Sequence, residues 1–138
     1  MASATVRWIT KGQFLAVDSS KHSVVLSTQD EENGVGMKPS DLLLAAVGSC
    51  SAVDVVNILQ KKRQKLTGLE VQVSGEQDAE PPWTFRKIHV RYIVRGRDLS
   101  EKAVADAIRL SEEKYCSVGA TLAKAVELSS EYQIIEEM

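Results

Sequence analysis

The stretch Pro39-Ser-Asp-Leu-Leu-Leu-Ala-Ala-Val-Gly-Ser-Cys50-Ser-Ala-Val-Asp-Val-Val-Asn-Ile-Leu-Gln-Lys-Lys-Arg63 decides how this chain folds. Both ends carry helix signals. Proline presets φ for a first turn, Ser40 and Asp41 suit its start, and Lys61, Lys62, Arg63 and Lys65 meet the negative end of the dipole ahead of Gly68. Between Leu42 and Val53 the helix is apolar on every side, which in a water-soluble chain means that other elements wrap it. A membrane span needs about 20 apolar residues, and Asp54 interrupts this run sooner. The expectation is a central helix with Cys50 deep inside and no membrane partner.

Outward from that helix, the chain reads as strands and two lesser helices. Before it, Val6–Ile9, Phe14–Val17 after a Lys11-Gly12-Gln13 turn, and Ser23–Ser27 form an antiparallel meander. Residues 29–38 read as a charged, glycine-containing surface loop. After it, Leu69–Gly75 and Ile88–Val94 alternate as strands joined across Pro81-Pro82. If they are neighbours, the basic stripe Lys87, Arg91 and Arg95 can pair with Glu70 and Glu76. Asp98-Leu-Ser-Glu101 has capping-box character and opens a helix with Val104, Ala107, Ile108, Ser111 and Tyr115 on one face. A third, short helix follows Ser117, and 127–136 reads as a closing strand. The order βββ-α-ββ-αα-β is a single α+β domain over residues 1–138, its long helix too apolar for one small sheet to hide, so a second subunit is expected to complete the burial.

The 138 residues fit one core, and 43% apolar with 26% charged residues is the balance of a globular protein. The net charge of −2 argues against a polyanionic partner such as nucleic acid. The first eleven residues lack the basic and apolar regions of a secretory signal, so a cytoplasmic location is expected. In that compartment two cysteines pair transiently or not at all.

The chemistry therefore rests on Cys50 and Cys116. Local reasoning makes Cys50 a small buried hydrophobe beside Leu43, Ala46, Val47 and Val53, inert because apolar surroundings raise a thiol pKa. Cys116 sits just before the third helix, where backbone N–H groups favour a thiolate, so it reads as the better acid. Which of the two would attack first is left open by these arguments. They lie sixty-six positions apart, which excludes a CxxC motif. His22 and His89 add no zinc-site spacing, no metal or cofactor is expected, and no nucleotide, hydrolase-elbow or metalloprotease motif occurs.

Residues Pro39 to Leu59 resemble the central-helix signature of the OsmC/Ohr (osmotically inducible, organic hydroperoxide resistance) family, and Tyr115-Cys-Ser-Val-Gly-Ala-Thr-Leu122 resembles its second cysteine motif. The resemblance implies an intertwined homodimer with antiparallel sheets around the long helix. It further implies thiol-dependent reduction of organic hydroperoxides, with Cys50 as the peroxidatic cysteine, Cys116 as the resolving one and a dithiol as reductant. It also implies an acid and an arginine beside the first thiol. The position after the proline, Glu in the hydroperoxide-reductase branch, is Ser40 here. The acid is Asp41, as in a related branch described only as redox proteins, and the cation falls to Arg7 or Lys11. Leu42, Leu43, Val47 and Val53 are expected to line an apolar pocket. The alternative is a non-catalytic dimer that binds a hydrophobic ligand and merely buries its cysteines.

Overall fold

A computed structural model describes all 138 residues, which fall into two compact units, Met1–Leu43 and Leu44–Met138. In the first, β1 (Ala4–Thr10), β2 (Gln13–Asp18) and β3 (Ser23–Ser27) form the expected antiparallel meander, with Arg7 opposite Leu15 and Leu15 opposite Val25. The first turn places Lys11 at φ 48°, and the loop at 29–38 is tied down rather than free. Ser27 N–H donates to Met37 O at 3.1 Å, and Met37 N–H to Val25 O at 2.9 Å. Gly36 is required there, because a Cβ would stand 2.7 Å from the Val25 carbonyl oxygen.

The helix α1 (Pro39–Lys61) begins at its proline, and from Leu44 onward it belongs to the second unit. There it is followed by β4 (Lys65–Gln77), β5 (Phe85–Arg97), α2 (Glu101–Leu110), a π-helical turn at Ser111–Tyr115, α3 (Ser117–Leu122) and β6 (Glu127–Glu136). The sheet order is β4-β5-β6. β4 and β5 are antiparallel and, at thirteen residues each, longer than their alternating centres. β6 runs parallel to β5, so this sheet is mixed; the intervening helices carry the chain back to the starting end, as a parallel pair needs.

Period-two alternation turns Ile88, Val90, Tyr92 and Val94 of the middle strand inward, where Val47, Val55 and Leu59 of α1 and Val104, Ala107 and Ile108 of α2 meet them. On the other face the basic stripe pairs with β6, not with Glu70 and Glu76: Lys87 lies 3.9 Å from Glu127, and Arg91 3.5 Å from Glu131. The parallel register sets Lys87 against Glu127 and Arg91 against Glu131, whereas β4 offers Gln72 opposite Arg91 and Gly68 opposite Arg95, and Glu76, though opposite Lys87 as expected, makes no ion pair with it.

Three local expectations are revised. By length and composition α1 could cross a bilayer, yet within its own chain it buries one stripe, Val47, Gly48, Ser51, Val55 and Leu59, into the core and leaves Val53 60% exposed. Cys50 is therefore half-buried, not deep. The cap of α2 is Ser100, whose hydroxyl accepts from Ala103 N–H at 3.2 Å. That moves Glu101 out of the capping-box position, and Asp98 adopts φ 50° with its N–H on Glu136. Tyr115 is exposed, because the wider π turn rotates it off the face that Val104, Ala107, Ile108 and Ser111 share.

Candidate active site

The π turn brings Cys116 into the core. Its N–H donates to Ser111 O at 2.8 Å, the i to i−5 bond of that turn, and the next residue starts α3 with Cys116 as its cap. The sulfur accepts from Gly119 N–H at 3.3 Å. Glycine lets the backbone approach, since a Cβ at 119 would sit 3.2 Å from that sulfur.

Only 4% of Cys116 is exposed, and burial pushes its thiol pKa up; the Gly119 bond opposes this, and the neighbouring Cys50 thiol raises it further. The helix-start argument that made Cys116 the better acid is thereby overturned: desolvation outweighs a cap on a six-residue helix. The folded chain thus joins two thiols sixty-six positions apart in sequence, one half-exposed on α1 and one buried.

Beside them runs a chain of buried hydroxyls that sequence reasoning missed. Ser51 Oγ lies 2.6 Å from Tyr92 OH and 3.0 Å from Ser111 Oγ. Ser111 donates to Asp54 Oδ2 at 2.9 Å, and Glu112 Oε1 stands 3.5 Å from the tyrosine oxygen. Ser51, Tyr92 and Ser111 are all 2% exposed or less. Burial raises the Tyr92 pKa to about 12, with the Ser51 bond opposing and the charges of Glu112 and Cys116 adding. The available signal was spacing: Ser51 and Asp54, three apart in an otherwise apolar helix, share one face.

Tyr92 and Cys116 both line a cavity of about 270 Å³ whose wall includes Val47, Val90 and Leu128. Of the expected pocket residues in this unit, Val47 lines it, while Val53 faces outward. The others lie in the first unit: Leu42 lines a shallow groove with Val17 and Val24, and Leu43 is half-buried. Asp41 stands exposed in the first turn of α1, Arg7 is exposed on β1, and Lys11 pairs with Glu32. His22 contacts Ser20 and His89 contacts Ser129 and Glu131, and no group of three or more His, Cys, Asp or Glu residues is gathered at metal-binding distance.

Comparison with known proteins places this site in context. The family model described as OsmC-like protein matches residues 29–131. Protein YhfA of Escherichia coli strain K12 is 40% identical over 132 residues, covering 96% of this chain and 97% of that protein. Among solved structures, a hypothetical protein from Aquifex aeolicus VF5 superposes with TM-score 0.88 at 29% identity, over 100% of this chain and 98% of that one. The organic hydroperoxide resistance protein OhrB of Bacillus subtilis has TM-score 0.63 at 17% identity, over 96% and 98% of the two chains, a likeness of fold.

Proposed function

We propose, from the premise that this chain belongs to the OsmC-like protein family, that it is a thiol-dependent peroxidase reducing organic hydroperoxides. Family membership supports a peroxide-resistance or redox role. The observation that carries the finer reading is that Cys50 neighbours Cys116 closely enough to raise its pKa. In the first step the Cys50 thiolate attacks the outer oxygen of the hydroperoxide. The O–O bond breaks, the alcohol leaves with a proton, and Cys50 becomes a sulfenic acid. Cys116 sulfur then attacks Cys50 sulfur, the S–OH bond breaks, and hydroxide leaves to become water. An external dithiol reduces the resulting disulfide in two exchange steps.

The two sulfurs divide these roles by exposure. Half-exposed Cys50 can meet a substrate, whereas Cys116, almost wholly buried, is placed to react with its neighbour. The apolar residues Val47, Val90 and Leu128 of the cavity beside Cys116, the neighbour of Cys50, favour a peroxide with a hydrocarbon tail over hydrogen peroxide. We further propose a cytoplasmic homodimer, since Val53 of α1 and Trp8 and Ile9 of β1 are apolar and exposed on the single chain. Sedimentation at micromolar concentration tests the dimer, and a sole monomer would contradict it.

The test of the activity is consumption of cumene hydroperoxide against hydrogen peroxide with dithiothreitol as reductant. Faster turnover of the apolar peroxide is expected. Cys50→Ser should abolish consumption, and Cys116→Ser should allow one turnover before Cys50 climbs to sulfinic acid. Activity retained in Cys50→Ser and lost in Cys116→Ser would reverse the roles. A second reading, binding of an apolar ligand without turnover, is favoured by the same cavity wall. It predicts no peroxide consumption and slow alkylation of Cys50 near neutral pH.

A further inference from the structure

The hydroxyl chain beside Cys116 has one direction. Asp54 accepts from Ser111, and a serine hydroxyl has a single proton, so Ser111 Oγ must in turn accept from Ser51 at 3.0 Å. Ser51 has then spent its own proton and accepts from Tyr92 at 2.6 Å. The phenol oxygen is left with acceptor capacity in the cavity wall it shares with Cys116. The Asp54 side chain that accepts from Ser111 at one end is thus linked through the hydroxyls to a proton acceptor beside the buried thiol's cavity at the other.

We propose that Tyr92, Ser51 and Ser111 form a proton relay from Cys116 to Asp54, and that Asp54 is the base that lets the buried Cys116 attack its partner sulfur. The inference deepens the redox reading above, because it concerns the resolving step of that chemistry. As the new S–S bond forms, the Cys116 proton passes to Tyr92 oxygen, each hydroxyl hands its own proton on, and Asp54 becomes the neutral acid. The leaving group departs with the electron pair of the broken bond. Asp54 then returns its proton to solvent, and the hydroxyls resume their first orientation. Asp54 and the serines act through Tyr92 and are positioning residues; Tyr92 shares the cavity wall with the reacting thiol.

The charged surroundings are sparse. Facing the relay are Cys50 and Asp54 from α1, Tyr92 from β5, Glu112 from the π turn, and Cys116 at the start of α3. β6 contributes Leu128, Ser129 and Ser130 to the cavity, and α3 carries no charged side chain. Arg109 of α2 is engaged with Asp106 and Glu113. Glu112 lies farther from the phenol than Ser51 does, 3.5 Å against 2.6 Å, and is itself exposed, so the shorter route runs to Asp54.

The experiment uses dipyridyl disulfide, an oxidant that needs no peroxidase activity. Half-exposed Cys50 attacks it and releases one coloured pyridinethione; Cys116 attacks the mixed disulfide and releases a second. The rate of the second phase is measured across about pH 6 to 9 in wild type, Asp54→Asn and Tyr92→Phe. Asparagine keeps an oxygen for Ser111 but is no base. With Asp54 serving as base, the wild-type rate should rise with pH much less steeply than the rate of either variant. In both variants hydroxide must take the thiol proton, so the rate should fall at least tenfold near pH 6 and rise about tenfold per pH unit. An Asp54→Asn rate equal to wild type overturns the relay. So does a slower rate with the wild-type pH slope, which is what a merely structural role would give. A wild type that consumes no cumene hydroperoxide would sink the peroxidase reading and leave this measurement decisive for the relay.

Discussion

Replacing Ser111 by alanine removes the middle of the buried chain, and the structure sets the size of the effect. The hydroxyl is fully buried, donates to a carboxylate at 2.9 Å and adjoins Ser51 at 3.0 Å. A hydrogen bond to a charged group contributes about 1.5–3 kcal/mol and a neutral one about 0.5–1.5 kcal/mol. Asp54 is half-buried, so water can partly replace the lost donor, and the lower part of the summed range applies. The expected loss is about 2 kcal/mol. Tyr92→Phe should cost less, about 1 kcal/mol, because Ser51 keeps Ser111 as partner. In urea unfolding, with a slope of about 1–3 kcal/mol per molar, Ser111→Ala should lower the midpoint by about 1 M. Adding Asp54→Ala to it should cost less than the two separate losses summed, since the acceptor left unpaired in the single variant is then gone. A Ser111→Ala midpoint within error of wild type, or strict additivity, would refute the network's energetic role.

Two further outcomes follow from burial. Leu59→Ala, at a fully buried position in the second unit's core, should destabilise by about 2–5 kcal/mol in the same titration, whereas Val53→Ala at an exposed site should leave the isolated chain's stability nearly unchanged. Alkaline pH should weaken the fold. Burial raises Cys116 from 9.0 to about 11 and Tyr92 from 10.0 to about 12, so above about pH 9 the unfolded chain loses protons that the folded chain keeps, and stability falls until both groups ionise in the fold. Urea midpoints at pH 8 and about pH 10 check this, and a Cys116→Ser/Tyr92→Phe variant should lose less across that interval.

Most of the fold was legible because its signals are local. An all-round apolar run, Pro39 and the terminal lysines marked α1, short apolar or alternating runs marked the six strands, and Cys116 lay where a short helix began. Three features depended on more than local pattern. The π turn has no sequence signature, and its extra width moved Tyr115 outward. The ion pairs on β5 depended on which strand lay opposite, which is a property of the parallel register with β6. Ser100 displaced Asp98 as a cap because both residue types cap well and only the backbone conformation separates them. At the site, residue chemistry alone left open which thiol acts first; desolvation, which depends on the whole fold, reversed the expectation for Cys116. Tyr92 read as one more inward strand residue and Ser111 as one more helix-face residue, since a hydrogen bond between residues 41 or 60 positions apart leaves no spacing to read.

The central claim is that Cys50 and Cys116 act as one redox pair, and mass spectrometry of the wild-type chain after one equivalent of cumene hydroperoxide tests it most directly. The account predicts loss of two hydrogens and, after proteolysis, a single linked peptide joining Cys50 to Cys116 within one chain. A protein whose two thiols remain free, or whose Cys50 carries two added oxygens while Cys116 stays reduced, would contradict it.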